Sequence, residues 1–412
     1  MENEKIFVGI GAGAIQLGLW AYYACLSGAE VIMVEVDEEK IESIRKNNNC
    51  YNINIAHFDR IESVKIGPVK IYNPNLKHER QLIIEKIRDA NDIATALPST
   101  YLYKEGGVDI LLREGLSEKS SPVIIYASEN QIKAGEMLQR LVFPDRKPEF
   151  IQFSETVIER MGGPHFDQSL IDELGLKRIM PKSSSSLLVE DFDKIIIEKS
   201  KISEMYHYES CFNRFFPAKD IMLYEELKLF GHNAVHTLLG FLGKLKGYQF
   251  MSQYNGDSDF GFIGVDALMI ETGHWFKKKY INSGDKVSTV EGYNKWAEQL
   301  CRRIINPFLY DLVERIIRDP KRKLGWDDRI IGTMKNALTY GIIPKRYALG
   351  VAAAIYQDDI TKEMALSSLE SIWKNNSEEK VRKEILSIVG DAFETIREWK
   401  KSGRKYLYKN LE

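Results

Sequence analysis

Short apolar runs alternate with helical stretches through the first two hundred residues, and this alternation limits the chain to few folds. The runs are rich in β-branched residues and are bounded by turn-forming residues. Such a pattern predicts repeated βαβ units around a buried parallel sheet, the core of an α/β domain. The clearest runs are KIFVGI (5–10), EVIMVE (30–35), NDIAT (91–95) and PVIIYA (122–127).

The strand signal continues to about residue 200 and then fades. EFIQF (149–153), LLVE (187–190) and KIIIE (194–198) predict later strands, with a hairpin as one pairing of the last two. Helical periods separated by Pro, Gly and Asn-Asn then follow. They fall near 218–247, 289–318, 327–341, 345–357, 361–373 and 378–400. We therefore predict an α/β domain over 1–200 and a mostly α-helical domain over 201–412.

A glycine-rich loop, VGIGAGAIQLG (8–18), joins the first predicted strand to the first predicted helix. Gly11 and Gly13 stand where a dinucleotide-binding fold needs a tight turn and a close approach of its backbone to pyrophosphate. Gln16 takes the place of the usual third glycine, but the strand before and the helix after are those that the motif requires. The first domain is thus predicted to be a Rossmann-type NAD-binding domain. Its predicted pyrophosphate contacts are Gly11, Ala12, Gly13, Ala14, Ile15 and Gln16.

Glu35 ends the second predicted strand, where a carboxylate can accept hydrogen bonds from both hydroxyls of the adenosine ribose. A carboxylate also repels a 2′-phosphate, which favours NAD over NADP as the cofactor. Asp37 or Glu38 can fill the same role, and the alternative is a solvated acidic helix start. Asn130, in ASEN (127–130), follows another predicted strand and is the candidate contact to the nicotinamide ribose.

The segment KLFGHNAVH (228–236) places one Lys, one Asn and two His within a predicted helix. At about 100° per residue, the four polar side chains share one side of a regular α-helix. Apolar neighbours imply that part of this row is buried, and buried polar groups need a partner or a function. Three interpretations compete: a zinc site, a polar strip at a domain interface and a site for hydride transfer.

Zinc is the weakest interpretation, because it takes three or four protein ligands and no third His or Cys is suitably spaced. Oxidation of an alcohol with NAD needs a base for the hydroxyl proton and donors for the developing oxyanion. Lys228 suits the first task, because burial lowers the pKa of an amine. Asn233 can donate to the oxyanion, and His236 can hold the hydroxyl or the lysine. This chemistry requires no metal.

The spacing K-x-x-x-x-N-x-x-H resembles the catalytic row of the polyol-specific long-chain dehydrogenases. Further segments resemble that family over most of the chain, namely GAGAIQLG (11–18), ASEN (127–130), FSETVIERM (153–161), LKLFGHNAVHTLLGFLGKLKG (227–247) and NPFLYDLVERIIRDPKRKLGWDDR (306–329). The resemblance implies a zinc-independent NAD enzyme with a Rossmann domain and a helical C-terminal domain. Lys228 is then the general base, with Asn233 and His236 assisting.

The resemblance also bears on the substrate. Members that act on free mannitol have a second oxyanion-hole Asn where this chain has Glu155, and the branch that acts on sugar-alcohol phosphates has an acid there. This implies interconversion of a sugar-alcohol phosphate and a keto-sugar phosphate, of the mannitol 1-phosphate and fructose 6-phosphate type. Glu155 and Arg160 are candidate substrate contacts, although Glu155 can instead be a structural partner of Arg160. Arg303 and Arg329 are candidates for the phosphate, which needs cations at the pocket rim.

Composition narrows the class of protein. With 57 basic and 59 acidic residues, the chain has no overall field to attract nucleic acid or an anionic membrane. Four separated cysteines and a polar N-terminus predict a cytoplasmic protein with reduced thiols and neither signal peptide nor membrane span. We expect a small-molecule substrate. Two alternatives remain: the same machinery acting on a free polyol or a keto-uronate, and an NAD-binding sensor without turnover.

Overall fold

The computed structural model describes residues 5–192, 194–373, 378–403 and 405–410. The chain divides into two compact units after Tyr224, later than the boundary predicted near residue 200. The reason is that a strand over residues 215–218 pairs inside the first unit. The first unit is α/β and the second is helical, so the predicted fold class is confirmed.

The first unit contains the strands. They are β1 (Ile6–Ile10), β2 (Glu30–Val34), β3 (Tyr51–Ala56), β4 (Ile61–Ile66), β5 (Lys70–Tyr72), β6 (Asp92–Thr95), β7 (Val123–Ala127), β8 (Ile151–Ile158), β9 (Gly162–His165), β10 (Ser186–Glu190), β11 (Ile195–Glu198) and β12 (Phe215–Ala218). The main sheet has eight strands in the order β12-β11-β8-β7-β6-β1-β2-β5. Its strands from β8 to β5 are parallel, and β11 is antiparallel to β8. Helices cover it, and for that reason a central strand such as β7 is buried at every position.

A second sheet of the first unit has the order β4-β3-β10-β9. Its β3–β4 hairpin comes from a stretch with little apolar alternation, and no strands were predicted there. The predicted hairpin of LLVE with KIIIE is wrong, because β10 belongs to this second sheet while β11 belongs to the main sheet. The two strands are therefore neighbours in sequence only.

Most helices after residue 217 lie in the predicted ranges, but helices at Gly273–Lys279 and Pro320–Lys323 were not predicted, and the predicted range 289–318 is interrupted between residues 304 and 313. Those of the first unit are α1 (Ala21–Leu26), α2 (Glu38–Lys46), α3 (Lys77–Asp89), α4 (Leu102–Glu105), α5 (Val108–Ser117), α6 (Ala134–Val142), α7 (Gln168–Glu173) and α8 (Ile202–Met205). From the unit boundary onward they are α9 (Ile221–Glu226), α10 (Asn233–Leu245), α11 (Gly273–Lys279), α12 (Val290–Ile304), α13 (Val313–Ile317), α14 (Pro320–Lys323), α15 (Arg329–Thr339), α16 (Lys345–Ile355), α17 (Lys362–Ile372) and α18 (Glu379–Ser402). None of the described helices is both long and apolar enough to cross a membrane.

Wider π-helical turns interrupt the regular helices at several places. They lie at Gln16–Trp20, Leu227–His232, Phe260–Val265 and Ala267–Thr272. Short 3-10 turns lie at Met251–Tyr254, Lys286–Ser288 and Leu407–Asn410. Two of the π turns fall within segments singled out from the sequence, the glycine loop and the polar row, and π turns are found frequently at functional sites.

Candidate functional site

The glycine loop lies at the switch point of the main sheet, where β1 has β2 on one side and β6 on the other. Ligands of such sheets bind beyond the carboxyl ends of the strands at this point. Gly11 has φ +86°, and a Cβ there would lie 2.9 Å from the carbonyl oxygen of Ala96, so the turn requires glycine. The first N–H groups of the following helix have no partner within the helix, as a pyrophosphate site needs.

Gln16 is fully buried beneath this loop. Its side chain lies against Gly9, where any Cβ would collide with the amide group. Neither side-chain atom has a hydrogen-bond partner among the described residues, which is costly for a buried amide. An amide with unused donors and an unused acceptor beside an open helix start fits a dinucleotide site. The missing third glycine therefore does not argue against cofactor binding.

Glu35 follows β2 and points at the glycine loop. Its carboxylate accepts hydrogen bonds from the N–H groups of Ala12 at 3.1 Å and Val36 at 2.7 Å, and from Lys40 Nζ at 2.8 Å. Burial opposes ionisation, but these contacts hold the pKa of Glu35 below its usual value. Asp37, the alternative candidate, caps α2 through the N–H of Lys40. The geometry thus favours Glu35 over Asp37 as the residue that binds the ribose. Lys40, a cation that the sequence analysis did not consider, lies beside it.

Asn130 is exposed in the turn after β7, at the carboxyl edge where it was predicted. Its neighbour Glu129 is buried, and its side chain bonds to several other residues at this edge of the sheet. The Glu129 carboxylate accepts hydrogen bonds from Thr95 Oγ1 at 2.9 Å, from the N–H of Leu97 at 2.9 Å and from the Tyr103 hydroxyl. Glu129 escaped the sequence analysis because nothing in ASEN distinguishes a buried acid from an exposed one.

Glu155 and Arg160 do not meet, so the structural pairing considered for them is wrong. Glu155 accepts hydrogen bonds from the N–H groups of Gly135 at 3.0 Å and Glu136 at 2.8 Å, and thus caps the start of α6. Arg160 is buried, and its guanidinium donates to the carbonyls of Gly18 and Glu190. These contacts join Arg160 to β10 of the second sheet and to the π turn at Gln16–Trp20, which weighs against its assignment to the substrate.

The polar row of the second unit lies on one continuous helix, but that helix is not regular. Over Leu227–His232 it widens into a π turn, and the N–H of Asn233 donates to the carbonyl of Lys228, five residues earlier. In a regular α-helix Asn233 would be rotated about 140° from Lys228. Because the π turn closes over five residues instead of four, it brings Asn233 back towards Lys228. Both residues are half-buried. The uniform period assumed from the sequence was wrong here.

His236, one α-helical turn after His232, contacts a residue that sequence reasoning missed. Its Nε2 lies 2.9 Å from Oδ2 of Asp311, with the distance but not the angle of a good hydrogen bond. Asp311 is buried, and Arg315 also contacts its carboxylate, with Nε at 3.0 Å. Although burial opposes ionisation, Arg315 and His236 hold the pKa of Asp311 well below its usual value. The one available signal was that a buried histidine needs a partner for its ring.

His232, the second histidine of the polar row, is buried. Burial lowers its pKa well below the usual value, and the charges of Arg303, Lys228 and Arg329 act in the same direction. His232 is therefore neutral, and its surroundings are cationic. Its ring centroid lies 5.8 Å from that of His236. Over the described ranges, no three His, Cys, Asp or Glu side chains come together as metal ligands would.

The basic segment around α14 adds to this positive region. Lys323 is buried, and its ammonium donates to the carbonyl of Ile316. Burial lowers the pKa of Lys323 to about 7, and four nearby arginines contribute to the shift, namely Arg329, Arg322, Arg315 and Arg318. Arg329 is itself buried and donates from Nε to Asp328 at 2.8 Å. The charges of both predicted phosphate residues, Arg303 and Arg329, act on His232 of the polar row.

Comparison with known sequences agrees with this organisation. Residues 5–207 match the mannitol dehydrogenase Rossmann domain, and residues 220–389 match the mannitol dehydrogenase C-terminal domain. A mannitol-1-phosphate 5-dehydrogenase of Caldanaerobacter subterraneus subsp. tengcongensis is 28% identical over 84% of this chain and 85% of its own length. One of Geobacillus stearothermophilus is 27% identical over 90% of this chain and 92% of its own length.

Two solved structures have the same fold. Mannitol 2-dehydrogenase of Pseudomonas fluorescens, solved as a ternary complex with NAD and D-mannitol, aligns with a TM-score of 0.66 at 16% identity. The alignment covers 100% of this chain and 94% of that one. A D-sorbitol dehydrogenase in substrate-free form aligns with a TM-score of 0.67 at 15% identity, covering 100% and 98%. With both of its domains matched, the chain belongs to the mannitol dehydrogenase family.

Proposed function

We propose that this chain interconverts a sugar-alcohol phosphate and a keto-sugar phosphate, with Lys228 as the general base in oxidation and the general acid in reduction. The broader class, an NAD-dependent polyol dehydrogenase, follows from the family to which the chain belongs. The proposal adds two points, namely that Lys228 is the base and that the substrate carries a phosphate group. Its main support is the π turn, whose five-residue closure turns Asn233 back towards Lys228, with His236 one further turn along the same helix.

The chemistry assigns one task to each residue of the row. Lys228, as a neutral amine, takes the proton of the substrate hydroxyl. Asn233 donates its amide N–H to the oxygen on which charge develops. His236, held against Asp311, orients the hydroxyl. NAD, when bound, supplies the acceptor for the hydride that leaves the carbinol carbon. In the reverse direction the Lys228 ammonium returns the proton.

The phosphate part rests on charge. A phosphomonoester carries close to two negative charges and strong acceptor oxygens, for which arginine has matching geometry. Arg303 and Arg329 both contribute to the electrostatic environment of His232, and Lys323 lies beside Arg329. The curated relatives act, by name, on mannitol 1-phosphate. These observations together favour a phosphorylated substrate over a free polyol.

The test is NADH formation with mannitol 1-phosphate, other polyol phosphates, free polyols and keto acids. We expect the highest kcat/KM with a phosphorylated polyol. Lys228→Ala should lower kcat by about 10²- to 10⁴-fold, as loss of a general base does. Lys244→Ala is the control, since Lys244 is an exposed residue of α10. Full activity of Lys228→Ala would refute the assignment of Lys228 as the base. Equal activity on free polyols would refute the preference for a phosphorylated substrate.

A further inference from the structure

The π turn that carries Lys228 has a specific support on a neighbouring helix. Thr333, on α15, is completely buried, and its hydroxyl lies 2.8 Å from the carbonyl oxygen of Phe230. A π turn shifts the hydrogen bonds of its carbonyls by one residue, and runs of such bonds are rare in proteins. A buried hydroxyl that donates to one of these carbonyls therefore favours the widened turn over the regular one.

Two glycines allow this support to come close. A Cβ on Gly332, the residue before Thr333, would collide with the Phe230 ring. A Cβ on Gly231, inside the turn, would lie 2.8 Å from the indole ring of Trp296. Both sides of the turn are thus packed directly against neighbouring side chains or backbone. Such close packing leaves little room for the turn to change its shape.

The same hydroxyl also lies 2.6 Å from the carbonyl oxygen of Arg329, one turn earlier on α15. The hydroxyl has one proton, which the two carbonyls share, and Thr333 thereby contacts both the backbone that carries Lys228 and the backbone that carries a candidate phosphate residue. We infer that Thr333 is a positioning residue for the reaction: it holds the π turn in which Lys228 and Asn233 are aligned, in register with Arg329. This inference rests on the proposed function.

The experiment compares Thr333→Val, Thr333→Ser and Thr339→Val. Serine keeps the hydroxyl, whereas valine removes it. Thr339 is the matched control, because its hydroxyl bonds to the carbonyl of Lys335, also four residues earlier on α15, without contacting the turn. We expect Thr333→Val to lower kcat roughly tenfold or more, since small misplacements of catalytic groups are costly. In Thr333→Val, the part of the pH profile of kcat that reports on Lys228 should also shift. Thr333→Ser and Thr339→Val should keep a kcat and a pH profile close to those of wild type.

A second readout does not depend on turnover. Backbone hydrogen exchange, followed by mass spectrometry on peptides that cover residues 227–236, should become faster in Thr333→Val and stay unchanged in Thr339→Val. If Thr333→Val does not fold, Thr333→Ala replaces it in both measurements. The inference would be overturned if the variant without the hydroxyl, Thr333→Val or Thr333→Ala, kept the kcat, the pH profile and the backbone hydrogen exchange of wild type. The proposed function fails separately, through full activity of Lys228→Ala, so the two failures are distinguishable.

Discussion

The Nε2 atom of His236 lies 2.9 Å from the Oδ2 atom of Asp311, and both side chains are buried in the helical unit. This contact places a carboxylate against the ring of the histidine one turn beyond Asn233. Asp311→Asn keeps the shape of the side chain but removes its charge, so the ring loses the group that orients it. We expect kcat to fall by about tenfold to a hundredfold, the range known for the hydrogen-bond partners of metal-binding histidines.

Arg315 provides the control for this prediction, because it contacts the other oxygen of Asp311 but belongs to no assigned task. Arg315→Gln should reduce stability, measured by urea unfolding, with a smaller change in kcat. Equal losses of kcat in the two variants would mean that Asp311 acts only through the fold of the helical unit.

Glu35 should set the preference for NAD. Its carboxylate is ionised and lies beside the glycine loop, where it repels the 2′-phosphate of NADP. Glu35→Gln removes this charge and should narrow the ratio of the dissociation constants for NADP and NAD by about tenfold, equivalent to about 1.4 kcal/mol. Tryptophan fluorescence quenching measures both constants without turnover. Glu39→Gln, at an exposed position of α2, should leave the ratio unchanged.

Arg329 should affect binding of phosphorylated substrates more than that of free polyols. Arg329→Met is expected to raise KM for a polyol phosphate by about tenfold or more, because a charge-assisted hydrogen bond contributes about 1.5–3 kcal/mol. The dissociation constant of NAD should not change. Lys321→Met removes an exposed cation from the same basic segment and serves as the control. An equal rise in KM for phosphorylated and free polyols would show that Arg329 contacts the polyol chain and not the phosphate group.

Glu271 should make the stability of the chain depend on pH. Burial raises its pKa to about 7 from a usual value of 4.5, although it accepts hydrogen bonds from the N–H groups of Arg346 and Tyr347. The folded state therefore binds this proton more tightly than the unfolded state. Stability from this group is greatest below about pH 4.5 and falls as pH rises to about 7, by a few kcal/mol at most.

The comparison of wild type with Glu271→Gln isolates this contribution. Urea unfolding at pH 5 and pH 8 should show a smaller loss of stability for Glu271→Gln than for wild type. Glu291→Gln, at an exposed position in the first turn of α12, should behave like wild type. Parallel pH dependence in all three proteins would show that Glu271 stays ionised in the folded chain.

The sequence predicted those features that repeat a local pattern. The glycine loop, Glu35 and the spacing of Lys228, Asn233 and His236 are all short motifs, and their elements lie where the pattern indicated. What could not be predicted depends on contacts between distant segments. Asp311 becomes notable only when it lies against His236, 75 positions earlier, and Arg160 contacts the carbonyls of segments that are distant from it in the sequence. The π turn was missed because residue spacing alone implies a regular period.

The π turn also has a consequence for the tolerance of this helix to insertions and deletions. A π turn holds one residue more than the regular turn that it replaces. Deleting one residue between Leu227 and His232 can therefore be absorbed by a return to the α-helical path, with α10 and its buried face left in place. A deletion between Lys228 and His232 would leave Lys228 and Asn233 four positions apart, a spacing that a regular α-helix places on one face. The same two polar groups can thus share one face of a helix either five residues apart across a π turn or four residues apart without one.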